Sequence, residues 1–239
     1  MRWKTGCGES RSPVANRLFN RRLRLEEQSL PRRRGRELAC DEQGMIVSQR
    51  PLAAYRMGAV GSDRCGCGWI ACYNALRLLG YQPRPEQVIR ALEPAFALRG
   101  QLGTRAAALP LFFLRRGFSV SVSAMPWEIA RRAPGAQANI LYYIRRPQNG
   151  RISAHFVAFS GMISRDAAGE PVYRFYNTLS APVRLRRPPK GEAGPCFCAG
   201  GRQGDLRTLR QLLMPERPLL ALVLSIRHGD GTEPGVNGI

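Results

Sequence analysis

The chain has 239 residues and a mass of 26.6 kDa, with 44% hydrophobic residues, 8% aromatics and a formal charge of +20. That apolar content is enough to bury a sizeable core and argues against wholesale disorder. No apolar run approaches the roughly 18 residues of a membrane span, and the arginine-studded N-terminus lacks the apolar core of a signal peptide.

The charge comes from 35 arginines and only two lysines, Lys4 and Lys190. Surfaces selected for phosphate contact commonly mix the two, since both release counterions. A nearly lysine-free chain rich in Ala, Gly, Pro and Arg fits translation of a GC-rich genome better, so nucleic acid is disfavoured as a partner. Thirteen of the arginines fall in residues 1–64.

Residues 1–50 are charge-rich and aperiodic, which predicts a basic, disordered tail, with Met45 or Met57 as the expected natural start. The folded domain is expected over 51–228, followed by a flexible C-terminal tail at 229–239. The first regular element is a helix over 68–79, where Ile70, Ala71, Ala75, Leu78 and Leu79 keep helical spacing and Gly80 stops it. Pro85 opens a short helix that Pro94 ends. Thr104 is expected to cap a third helix running to Arg116, with Pro110 kinking or breaking it.

After Gly117 the pattern turns to strands over 118–122, 140–144, 152–159, 172–176 and 219–226, with a short helix near 127–132. An Asn-Gly turn at Asn149 and Gly150 predicts a hairpin between the second and third strands. Residues 181–204 read as a long Pro/Gly/Arg loop. Helices first and antiparallel strands afterwards predict an α+β domain.

Seven cysteines (Cys7, Cys40, Cys65, Cys67, Cys72, Cys196, Cys198) form an odd number with C-x-C and C-x4-C spacings. A disulfide framework is disfavoured, and reduced thiols in a cytoplasmic setting are expected. Two histidines, His155 and His228, and the wrong cysteine spacing disfavour zinc. No cofactor or metal is called for.

The chemistry-bearing segment is Arg64-Cys-Gly-Cys-Gly-Trp-Ile-Ala-Cys-Tyr-Asn74. A cysteine in the first turn of a helix meets unpaired N–H groups and the positive dipole end, which stabilise a thiolate. His155 lies in an alternating strand that would hold an imidazole rigidly. Asn177 follows at the end of the next strand, where it could fix the imidazole tautomer. Each alone is commonly structural; the ordered set of helix-start Cys, strand His and next-strand-end Asn is the signal. Trp69, Phe112, Phe113, Phe156 and Phe159 are expected in the core, Trp127 as the anchor of its helix, and His228 exposed.

These motifs, Cys67-Gly-Trp-Ile-Ala-Cys72 with its helix to Gly80, Ala154-His-Phe-Val-Ala158 and Phe175-Tyr-Asn177, resemble the papain-like cysteine peptidase superfamily. The nearest branch is the bacterial bacteriocin-processing (double-glycine leader) peptidases and their stand-alone relatives. The resemblance covers residues 62–180. It implies a papain-like fold, N-terminal helices on an antiparallel sheet, with Cys67 as nucleophile, His155 as base and Asn177 as orienting residue.

The chain departs from the pattern in two places. The glutamine that the family carries a few residues before its cysteine is missing from residues 61–66, and Gln49 is too far upstream to assign. Either the Cys67 N–H acts with another donor or the site is impaired. Cys65 competes for the nucleophile's role, but Gly-Trp-Ile-Ala follows Cys67 at the family's register.

The resemblance implies hydrolysis of a peptide or amide bond in a peptide or protein substrate through a thioester, or transfer to an amine replacing water. Two alternatives stay open: an inactive relative that binds peptides, and an arginine-rich nucleic-acid-binding protein.

Overall fold

A computed structural model describes residues 40–41, 43–146, 152–178 and 205–229. The expectations for residues 1–39, for the turn at Asn149 and Gly150, for the loop at 181–204, for residues 230–239 and for Cys7, Cys196 and Cys198 lie outside them.

The architecture is α+β, as the order of elements predicted. A two-stranded ribbon, β1 (Arg56–Met57) and β2 (Val60–Gly61), leads into a one-turn helix α1 (Ser62–Cys65) and then α2 (Cys67–Leu78). Next come α3 (Pro85–Leu92), α4 (Ala108–Leu114), β3 (Phe118–Ser123), α5 (Pro126–Arg132), β4 (Ala138–Arg145) and β5 (Ser153–Ser160). The described chain continues through β6 (Ser164–Arg165), β7 (Pro171–Tyr176), β8 (Asp205–Thr208), α6 (Leu209–Leu213) and β9 (Pro218–His228).

Seven strands form one antiparallel sheet in the order β3-β9-β4-β5-β7-β6, with β8 also paired to β7. β4 and β5 pair along their whole length, Ala138 opposite Ser160 through Arg145 opposite Ser153, the register an intervening hairpin requires. Side chains alternate between the two faces. Ala138, Ile140, Phe156, Ala158, Leu224 and Ile226 meet the helices α2, α3 and α4 in the larger core. Leu141, Tyr143, Val157, Phe159, Tyr173, Phe175 and Val223 form a second core with Ala133 of the residue after α5 and Leu212 of α6.

The expected helix over 68–79 is α2, and Gly80 ends it at φ +86°, a conformation that costs glycine little. It is buried on almost every side, Gly68 through Leu76 included. The second side is covered from within the span read as a tail. Met45 and Ile46 are buried, and buried Asn74 of α2 accepts from the Ile46 N–H at 2.8 Å and donates to the Ile46 carbonyl at 2.9 Å. Ile46, Leu52, Tyr55 and Met57 complete the larger core on that side.

Four local expectations are corrected. Thr104 does not cap a helix: it pairs with Phe96 in an isolated bridge, and α4 begins at Ala108 without a side-chain cap. Pro110 therefore falls in the first turn, where its missing N–H breaks no helical bond, and α4 runs on unbroken to Leu114. Trp127 is 69% exposed and anchors nothing in the core; Ile129 and Ala133 carry the buried stripe there. The expected core aromatics Trp69, Phe112, Phe113, Phe156 and Phe159 are all buried. His228 is half-buried at the end of β9, its ring 5.7 Å from that of Phe118. No helix of the described residues is long and apolar enough to cross a membrane.

Candidate active site

Cys67 is the first residue of α2, where a near-continuous turn from α1 through Gly66 (φ −75°, ψ −8°) delivers it to the sheet. Gly68 behind it is required by close approach: a Cβ there would stand 2.6 Å from both Cβ and Oγ1 of Thr104. The Trp69 indole donates to Ser62 Oγ at 2.9 Å and ties α1 to α2. Cys65 turns away, its thiol donating to the Gln101 carbonyl at 3.3 Å. The neighbouring turn is strained: Leu98 (φ 46°) and Arg99 (φ 52°) are both left-handed, at about 1–2 kcal/mol each. It is held against β1–β2 by the Ala59 N–H on the Arg99 carbonyl at 3.1 Å.

The sheet opens where Cys67 arrives. β5 and β7 pair only at Ala158 with Tyr176 and Phe159 with Phe175; beyond Tyr176 the chain leaves through Asn177, left-handed at φ 60°. The Phe156 N–H has no β7 partner among the described residues and meets the Cys67 sulfur, together with the N–H groups of Gly68 and Cys67 itself. These three donors favour a thiolate, but burial outweighs them and the neighbouring Cys65 adds to it, so the Cys67 thiol is pushed up to about 11.

His155 is the residue before Phe156 and projects from the opposite face of β5, 3% exposed. Its Nε2 lies 2.8 Å from the main-chain carbonyl oxygen of Asn177. A carbonyl only accepts, so Nε2 carries the proton and Nδ1 is the basic nitrogen of the neutral ring. Burial is the main reason the imidazole is held down at about 4, with the Asn177 carbonyl working against the shift and the Arg145 charge adding to it.

The three predicted residues therefore converge on one end of β5. His155 and Asn177 are bonded, through the Asn177 main chain and not its side chain. Cys67 reaches the residue next to His155, and among the described residues no hydrogen bond joins its sulfur to the imidazole.

Sequence reasoning missed the outer ring of this site. The Asn177 side-chain amide donates to Gln49 Oε1 at 3.2 Å, and Gln49 Nε2 donates to the Asp63 carbonyl at 3.0 Å. Gln49, set aside as too distant, thus ties the end of β7 to α1. Tyr143 lies opposite His155 with the rings edge-on, centroids 5.9 Å apart. Tyr142 packs over Phe156 on the helix side, 4.7 Å between centroids. No local motif marks these residues; only the sheet register does. Cys40, Cys65, Cys67 and Cys72 are free thiols, and no cluster of three or more His, Cys, Asp or Glu side chains that could hold a metal occurs among the described residues.

Compared with family models and with curated proteins, the chain matches none.

Proposed function

We propose that the chain is a papain-like thiol enzyme that cleaves a peptide or amide bond through Cys67, His155 and Asn177. The observation that carries this reading is the meeting at one strand end: a helix-start sulfur with three main-chain N–H groups, one of them that of Phe156, the residue after His155, whose Nε2 is fixed by the Asn177 carbonyl.

In this mechanism His155 Nδ1 takes the Cys67 proton as sulfur attacks the carbonyl carbon. The carbonyl electron pair moves onto oxygen, where the Cys67 N–H is one donor. The tetrahedral species collapses, the C–N bond breaks, and the imidazolium gives its proton to the leaving amine. Water, activated by the now neutral ring, attacks the thioester and regenerates the thiol. An amine in place of water would give acyl transfer. The pair rests as neutral thiol and neutral imidazole, because burial disfavours both charged forms. The substrate is a peptide or protein, and the setting is reducing and cytoplasmic, as the free thiols require for activity.

Iodoacetamide mapping tests the reading, with cytosolic-type reductant present. Cys67 is expected to alkylate well ahead of Cys72, and His155→Gln to remove that advantage. Equal rates at Cys67 and Cys72 would overturn it. The high-lying Cys67 thiol favours one second reading, a peptide-binding relative without turnover, and that same outcome would select it.

A further inference from the structure

His155 shares its face of the sheet with a charged pair. Tyr143 stands opposite His155 and Arg145 opposite Ser153, so all four project on the side away from α2. Arg145 donates from Nε to Ser153 Oγ at 3.2 Å and pairs with Glu216 from the turn between α6 and β9. That carboxylate side chain is only 7% exposed, so it has been drawn out of water at a cost that its partner must offset.

The groups on the His155 side of the sheet are Tyr143 and Arg145 from β4, the Asn177 carbonyl beyond β7, and Glu216 behind Arg145; Cys67 comes from the α2 side and meets the sheet at the Phe156 N–H. Ala221 of β9, opposite Tyr143, brings no charge. Arg145 serves a structural purpose here: it ties the end of β4 to the start of β5 and to the α6–β9 turn. An uncompensated guanidinium one rung from the imidazole would oppose its protonation, which the reaction needs at the moment sulfur loses its proton.

Resting on the reading of His155 as the base, we infer that Glu216 is a positioning residue of this site, fixing and neutralising Arg145 so that His155 can accept the Cys67 proton. The electrostatics of the cluster agree in sign. Arg145 disfavours the charged form of His155, and Arg145 and Glu216 act oppositely on the Tyr143 hydroxyl beside them.

The chain contains only two histidines, His155 and His228, so an imidazole NMR titration of the full chain, assigned with His228→Gln, reads His155 directly. Arg145→Met is expected to raise its midpoint and Glu216→Gln to lower it, each by on the order of half a unit or more. The double variant should return it toward the wild-type value. Cys67 alkylation should slow in Glu216→Gln and recover in the double variant. A purely structural role would shift both single variants alike, without recovery in the double, and Arg145→Lys checks that the charge and not the fold is being read. If Cys67 alkylates no faster than Cys72 in the unaltered chain, the base reading fails and this role with it. If Cys67 is reactive but the His155 midpoint stays put in Glu216→Gln, this inference alone is overturned.

Discussion

The imidazole of His155 is held by the main chain of Asn177 and not by its side chain: Nε2 donates to the carbonyl oxygen at 2.8 Å, while the Asn177 amide turns to Gln49. The left-handed backbone at Asn177 makes this possible, because it swings the carbonyl toward β5 as the chain leaves the sheet.

Asn177→Gly should therefore keep the His155 bond, since glycine adopts φ +60° freely, and should retain most of the Cys67 alkylation rate. Asn177→Val should lose about 1–2 kcal/mol of stability from the strained backbone alone. Thermal melts and alkylation rates measured together check this; a collapse of reactivity in the glycine variant would show that the side chain matters after all.

Thr104 Oγ1 is buried without a hydrogen-bond partner and is wedged against Gly68. Replacing it by the near-isosteric Thr104→Val removes an unsatisfied hydroxyl and should raise stability by about 1 kcal/mol. Gly68→Ala, which drives a methyl into the same space, should lower stability by about 1–3 kcal/mol. Denaturant midpoints of the two variants should move in opposite directions.

Asn74 carries both polar groups of the Ile46 backbone into the core. Asn74→Ala leaves those groups unpaired and should cost about 2–4 kcal/mol. Amide exchange at Ile46 should accelerate, and limited proteolysis should begin between residues 43 and 50, ahead of global unfolding.

Stability should fall on acidification through His155. Its midpoint in the folded chain, about 4, lies below the ordinary value of 6.5. The unfolded chain thus binds the proton first between those limits, and the stabilisation present above pH 6.5 is lost as pH drops toward 4, by at most about 3 kcal/mol. In His155→Gln that part of the pH dependence should disappear from urea titrations run at intervals across the window.

Local physics alone determined the longer elements and their type, but not the short β1, β2, α1, β6, β8 and α6. Helical spacing from Ile70 to Leu79 with Gly80 at its end, the proline that opens α3, and the alternation of Ile152 to Phe159 each depend on neighbours a few residues away, and each formed where it was read. The ordered Cys67, His155 and Asn177 could also be picked out, because helix starts and strand ends are positions that the chain itself marks. What failed locally was instructive: Thr104 looked like a cap, but its pairing with Phe96 across the turn outweighed that preference, and Pro110 became harmless once the helix began later.

Only the tertiary structure decided which atoms meet. That Asn177 offers its carbonyl, that Gln49 reaches the Asn177 side chain across 128 residues, and that the Arg145–Glu216 pair stands on the sheet face that carries His155 all follow from sheet register and from where β7 leaves β5. Register is set by the sum of many cross-strand contacts and by burial of one face, a long-range balance that no short stretch of sequence contains. The charge of +20 is a property of composition. The few charges that bear on the site are those the fold removed from water and placed beside His155.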